Sequence, residues 1–321
     1  MSAAIANPEA PDEPAAAAQP PREGEGRREV RGGRGRKRRS KRSTLLTVGM
    51  LAAAAYFLLP LFWLVVASTK STGDLFSTFG LWFAGHNNLF TNLGNTFTQD
   101  GGAFTVWFGN SLLYAVASAV GGTFLAALGG YGFAKYRFRG NQAMFMGVLG
   151  AMAVPATALA IPIYLLFSQI GLTDTPWAII LPSMAIHPFG LYFMRVYTDS
   201  AVPDSLIESG RIDGAGDFRI FFQVTGRLLT PALATVFLFM LVSTWNNYFL
   251  PLIMLNDPDL YPVTVGLANW QGQASSSGGA SGDYVPLVIT GSLVSIFPLI
   301  IAFLFLQRYW TTGLVSGSVK Q

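Results

Sequence analysis

Side chains able to do metal or nucleophilic chemistry are scarce in this chain. Cysteine is absent and histidine occurs only at His86 and His187, so a Cys/His metal site is excluded or nearly so. The two histidines fall on different segments and no paired carboxylates lie within an apolar stretch, so neither a catalytic residue nor a metal ligand is assigned. No Gly-x-x-x-x-Gly-Lys-[Ser/Thr] phosphate cradle occurs. Two polar stretches remain. One is the patterned segment that begins at Pro203, and the other is Trp245-Asn246-Asn247-Tyr248, embedded in apolar sequence. Amides bond the hydroxyls of a sugar and aromatic faces stack on its ring, and polar side chains inside an apolar span tend to face an interior cavity. Trp245, Asn246, Asn247 and Tyr248 are therefore substrate-path candidates. The rival reading is structural, because Trp and Tyr also form interfacial belts and asparagines bridge helices.

The elements that would position these residues follow from composition. Of 321 residues, 51% are hydrophobic and 12% charged, a balance that points to the bilayer as solvent. Helices need about 20 apolar residues to cross it. Six charge-free stretches qualify, at 44–68, 106–134, 143–168, 176–194, 228–255 and 284–306. The fold class is thus all-α, a polytopic membrane protein with six transmembrane helices and a long cytoplasmic loop between the fourth and fifth. Residues 1–43 read as a disordered basic tail, 44–310 as the transmembrane domain with its loop at 195–227, and 311–321 as a cytoplasmic C-terminal tail.

Of the 21 Lys and Arg residues, all but Lys70 fall on one side of this topology. The positive-inside rule then puts both termini, and the loop at 195–227, in the cytoplasm of a multi-pass cell-membrane protein. A Gly/Ser tract at 272–282 reads as a flexible external loop. The basic tail fixes topology and contacts membrane lipid incidentally; with no aromatic residue interleaved, it is not read as binding nucleic acid. Prolines at 155, 162, 182, 188, 251, 286 and 298 can kink their spans, and Gly121, Gly122, Gly129, Gly130 and Gly132 allow close helix approach.

The cytoplasmic loop reads Pro203-Asp-Ser-Leu-Ile-Glu-Ser-Gly-Arg-Ile-Asp-Gly-Ala-Gly-Asp-Phe-Arg-Ile-Phe-Phe-Gln-Val. Pro203 suits a first helical position, Leu206, Ile207 and Ile212 form an apolar stripe, and Gly214 and Gly216 offer a break. Two short helices with a sharp bend at the glycines are expected. The run Glu208-Ser209-Gly210-Arg211-Ile212-Asp213-Gly214-Ala215 resembles, without gaps, the Glu-Ala-Ala-Arg-Ile-Asp-Gly-Ala loop of carbohydrate permeases of ABC importers. Two departures stand out: Ser209-Gly210 in place of Ala-Ala, and Gly226-Arg227 in place of Leu-Pro. The segments starting at Tyr131, Pro231, Trp245 and Gln307 are similar to this family too, the last to the smaller six-span subunit of maltose-type systems.

The resemblance implies that this chain is no enzyme and holds no cofactor of its own. ATP and Mg would be bound by partner chains. The implied partners are two nucleotide-binding ATPase subunits, a second permease subunit and an extracytoplasmic solute-binding protein that delivers a sugar. Leu206, Ile207, Glu208, Ser209, Gly210, Ile212, Asp213, Gly214 and Ala215 would form the coupling helix that the ATPase grips. A non-sugar solute is the open alternative, because such a loop reports the ATPase more directly than the cargo. A secondary transporter would call for ionisable residues within its spans, and these have none. His187 reads as a packing or cavity-lining residue rather than a proton relay.

Overall fold

The computed structural model describes residues 44–185, 187–276 and 284–316. The predicted basic tail and most of the Gly/Ser tract lie outside the described residues. Two compact units divide at Leu51 and Ala52, and the packing below is that of the second. The described residues form helices and turns without a strand. Helix α1 (Thr44–Ser68) is apolar throughout. Two short helices follow, α2 (Thr72–Ser77) and α3 (Leu89–Thr98). Lys70 is buried between them, its Nζ donating to Thr78 Oγ1 at 2.9 Å and to the Phe79 carbonyl at 2.8 Å. Asn92 Nδ2 donates to the carbonyls of Ser68 and Lys70. These polar bonds pin α3 to the end of α1.

The centre of the bundle is α4 (Ala103–Lys135), which buries a face of small residues including Ser111, Ala115, Ala119, Gly122, Ala126 and Gly130. Against it pack α7 (Trp177–Ala185), α8 (Pro188–Ala201) and α11 (Gly226–Trp245). Small residues are needed because the approach is close. A Cβ on Gly130 would sit 2.5 Å from Met194 Cβ and 2.7 Å from the Arg195 backbone nitrogen, and one on Gly122 would sit 2.6 Å from Met240 Sδ.

Three predicted spans are interrupted. The third is a pair of helices, α5 (Asn141–Ala151) and α6 (Ala156–Gln169), bent by 104° across Pro155. The fourth breaks between α7 and α8, where Pro188 opens the second helix. The fifth begins earlier than the hydropathy suggested. A short helix α9 (Asp204–Ile212) is followed by α10 (Asp217–Arg219), a π-helical turn (Ile220–Thr225) and α11 as one run of 29 residues from Asp217 to Trp245. The expected second short helix is therefore the base of the span. That run stops at Asn246, and α12 (Phe249–Met254) resumes after two residues.

Helix α13 (Val263–Ser276) takes in the first residues of the predicted external loop, and α14 (Tyr284–Ser316) continues through residues expected to form a separate tail. Among the described residues, five helical runs are long and apolar enough to cross a membrane, Trp177–Ala201 counted as one, or six when the bent pair counts as one span.

Within α11, Pro231 has no N–H for the Arg227 carbonyl, and Thr230 Oγ1 donates to that oxygen instead, at 3.0 Å. At the opposite end, α4 is tied to the segment around α13 by Trp107 Nε1 donating to the Pro258 carbonyl and Asn110 Nδ2 to those of Asp259 and Tyr261.

Two neighbouring glycines on α4 separate packing from propensity. Gly130→Ala has to push backbone away from α8 and should cost about 1–3 kcal/mol, lowering the thermal midpoint of the detergent-solubilised protein. Gly132→Ala meets nothing within 4 Å and should leave that midpoint unchanged or slightly raised.

Candidate functional site

Two regions carry the polar features of the sequence. The first is a cavity of about 130 Å³ onto which all three helix interruptions converge, lined by Ala156 after the α5–α6 bend, His187 between α7 and α8, and Asn247 between α11 and α12. Two of the breaks supply side-chain caps, whereas Pro155 precedes α6 without one. His187 Nδ1 accepts from the Gly190 N–H at 3.2 Å, which leaves Nε2 as the ring's donor. Asn246 Nδ2 donates to the Val242 carbonyl, Asn247 Oδ1 accepts from the Leu250 N–H, and Thr264 Oγ1 donates to the Asn247 carbonyl.

Four hydroxyls on the wall, those of Thr157, Ser183, Ser243 and Thr244, have no partner within the chain among the described residues. Asn247 Nδ2 also has none. Some hydroxyls elsewhere in the helices bond back to a preceding carbonyl, as Thr235, Ser292 and Ser295 do at 2.7–2.8 Å, whereas those of Thr198, Thr225 and Thr290 are buried without a partner among the described residues. The four hydroxyls on the cavity wall are therefore available to bond something other than the helices that carry them.

The second region is the loop helix α9. Its N-terminus is pinned by Lys135 Nζ, which donates to Asp204 Oδ1 at 2.8 Å; the lysine is almost buried and the carboxylate exposed. Its middle is pinned by Ile207, 6% exposed, which joins the core formed by Tyr131, Val202, Ile220 and Phe221. Gly210 lets Ile220 lie flat against the helix, since a Cβ there would sit 3.2 Å from Ile220 Cγ1.

The C-terminus closes in a Schellman motif. The Ala215 N–H donates to the Gly210 carbonyl and the Gly214 N–H to that of Arg211, with Gly214 at φ 79°. Arg211 then pairs with Asp217 at 3.1 Å across the bend. What the helix leaves outside is Glu208, which has no partner among the described residues, and Ile212 at 86% exposed; beyond the bend, Phe218 of α10 is 77% exposed.

Residues 122–311, more than half of the chain, match the family of binding-protein-dependent transport system inner membrane components. The chain belongs to that family. It is similar to the arabinooligosaccharides transport system permease protein AraQ of Bacillus subtilis, 32% identical over 276 residues that cover 86% of this chain and 95% of the relative. It also resembles the lactose transport system permease protein LacG of Rhizobium radiobacter, 28% identical over 86% of this chain and 96% of that one. The osmoprotective compounds uptake permease protein GgtD of Synechocystis is 31% identical over 85% and 91%. The fold is that of a chain in the crystal structure of a bacterial ABC transporter involved in the import of the acidic polysaccharide alginate, with a TM-score of 0.72 at 24% identity over 83% of this chain and 95% of that one.

Set out on this permease, the sequence-derived candidates separate. Of the four substrate-path candidates, Asn247 alone lines the cavity. Trp245 is buried in the bundle edge-on to Phe108, Asn246 closes the end of α11, and Tyr248 lies outside the cavity wall. The expected stripe of Leu206, Ile207 and Ile212 is split, because a helix of 9 residues docked along one side turns Ile207 inward and Ile212 outward. Leu206 is partly covered, Ser209 and Asp213 are exposed, and Ala215 packs on the core. Sequence reasoning missed the Lys135–Asp204 clip, which joins residues 69 positions apart, and the outward Phe218.

The clip sets a pH dependence. Lys135 holds the Asp204 carboxyl below the usual carboxylate range through its hydrogen bond and charge. A depressed carboxyl contributes stability above its ordinary pKa of about 4, lost as pH falls through the folded value. Protection of the α9 amides, taken relative to the intrinsic exchange rate at each pH, should therefore fall below about pH 4, and Lys135→Met should abolish that acid dependence while lowering protection at neutral pH. Gly214→Ala, which forces a Cβ into the left-handed region, should loosen the same amides by about 1 kcal/mol, and Gly210→Ala by less.

Proposed function

We propose that this chain is the membrane-spanning permease of an ATP-driven importer, that it passes a sugar or oligosaccharide, and that α9 couples it to a separate ATPase. The observation that carries the coupling is the division of α9 into a clamped side and an exposed side. Lys135, Ile207 and Gly210 fix the helix to the bundle, while Glu208, Ile212 and Phe218 project from a cytoplasmic surface that has no need of apolar side chains for its own fold. An ATPase groove that holds Glu208 by charge-assisted hydrogen bonds and covers Ile212 and Phe218 would move the helix as a body. Two ATPase copies, a second permease, a solute-binding protein on the opposite face and cytoplasmic termini complete the assembly that the family implies. ATP and Mg belong to the ATPase.

The cavity supports a hydroxylated solute. Four hydroxyls, an amide N–H and an imidazole N–H stand around a space otherwise walled by Pro182, Ile163 and Leu250, a mixture suited to the polar edges and apolar faces of a pyranose. Carbohydrates named for AraQ and LacG agree with this class. The relative named for osmoprotective compounds keeps a second class of cargo in view.

The chain has no native cysteine, which makes the coupling test direct. In the assembled complex, Ile212→Cys and Phe218→Cys should crosslink to the ATPase and Ile207→Cys should not; absence of crosslinks from both exposed positions in an active complex would refute the assignment. For the path, Asn247→Leu should cut uptake of a radiolabelled oligosaccharide at least about tenfold, the range expected when a site built to bond a polar solute loses a partner, with crosslinking from Ile212→Cys intact.

A further inference from the structure

The Gly226-Arg227 pair, which stands where Leu-Pro is usual, lies at the mouth of a second cavity that the transport reading does not use. This is an apolar groove of about 460 Å³ between α4, the π-helical turn with α11, and α14, walled chiefly by Phe124, Phe221, Leu229, Leu233, Phe237 and Leu306. Its few polar side chains are already engaged. Thr230 Oγ1 bonds the Arg227 carbonyl, Thr123 Oγ1 meets Met240 Sδ at 3.9 Å, and Tyr309 OH accepts from Arg308 at 2.9 Å. Such a wall offers nothing to a hydroxylated solute and suits hydrocarbon.

Two of the lining residues, Gly226 and Tyr309, have an arginine as sequence neighbour, Arg227 and Arg308. Arg227 is exposed, and among the described residues its side chain makes no hydrogen bond or ion pair. Arg308 lies over the ring of Tyr309 at 4.8 Å, and Tyr309 lines the groove. Gly226 lines it as well, where a Cβ would sit 3.3 Å from the Phe221 carbonyl oxygen, and a proline at 227 would remove the unpaired charge. The two departures from the usual pair thus fall together, a glycine on the groove wall and an exposed cation next to it in sequence.

We propose that this groove seats an acyl chain of an anionic phospholipid whose phosphate is held by Arg227 and Arg308. Charge complementarity selects this occupant over a helix of a second permease, which would have to bring a carboxylate to the same level of the membrane to satisfy Arg227.

The test uses the purified transporter with all its chains, stripped of lipid and titrated with phosphatidylglycerol or phosphatidylcholine under native mass spectrometry. Phosphatidylglycerol is expected to bind about fivefold or more tightly than phosphatidylcholine. Arg227→Gln should erase that preference, Arg227→Lys should retain most of it, and Gly226→Leu should weaken both lipids. Equal binding of the two lipids by the unaltered protein, or an unchanged preference in Arg227→Gln, would overturn the proposal. A nitroxide on Leu233→Cys, itself on the groove wall, reports what fills the groove. Accessibility to oxygen, which dissolves in hydrocarbon, and exclusion of a water-soluble nickel chelate are expected with phosphatidylglycerol bound. Exclusion of both reagents under all lipid conditions would mean a protein occupant and defeat the assignment.

Discussion

A backbone N–H or C=O left without a partner in hydrocarbon costs several kcal/mol, and this constraint governs where the chain is allowed to stop being helical. Three of its spans are interrupted; two of the interruptions bring side-chain donors and acceptors, and the α5–α6 bend closes with backbone bonds from the Ala153 N–H to the Gly150 carbonyl and from the Ala158 N–H to that of Pro155. His187 caps α8 with an imidazole nitrogen, Asn246 and Asn247 close one helix and open the next, and Thr264 covers the carbonyl left between them. The interruptions also share one cavity. Clustering is the economical arrangement, because a single polar space serves the loose ends of several helices, whereas isolated breaks would each need a separate one. A space built to satisfy backbone is then already a space that a polar solute tolerates.

The closeness of α4 to its neighbours holds that arrangement in register. Helices in a bilayer gain little from the hydrophobic effect against one another and rely on contact. Gly122 and Gly130 bring Met240, Met194 and the backbone of α8 to distances at which a methyl group does not fit. The same helix carries Lys135 at one end and Trp107 and Asn110 at the other, so it fixes α9 on one side and the segment around α13 on the other. Loss of close packing at its centre would therefore loosen both ends together.

The apolar spans were legible because hydropathy sums side-chain transfer, and α4 or α14 is long and uncharged enough to dominate that sum. Their interruptions were not legible, because transfer scales carry no term for backbone hydrogen bonding; Pro155, Pro188 and the Asn246-Asn247 pair were the available signals. In the loop, the motif located α9 and its glycine bend, and the Gly214 turn follows from residue type alone. Which side of α9 faces out could not be read from nine residues, since Ile207 and Ile212 look equivalent until the position of Ile220 is known. Lys70 reads as a lone external charge in the sequence, yet two neutral oxygens 8 and 9 residues away bury it.

Between the two regions runs one structural member. The helix from Asp217 to Trp245 is 29 residues long, about 40 Å at the usual rise, and it joins the bend after α9 to the break that borders the cavity. Pro231 does not divide it, because Thr230 supplies the missing hydrogen bond at that turn. Its one irregular part is the π-helical turn at Ile220–Thr225, where Ile220 meets Gly210 and Phe221 meets Tyr131. A π-helical turn is a register error confined to a few residues, and it relaxes at modest cost. In the coupling reading, displacement of α9 reaches the cavity by tilting this helix, and the π-helical turn is where the motion is taken up without unwinding the span. A rigid helix above and a clamped helix below leave that turn, with Gly226 directly after it, as the compliant joint.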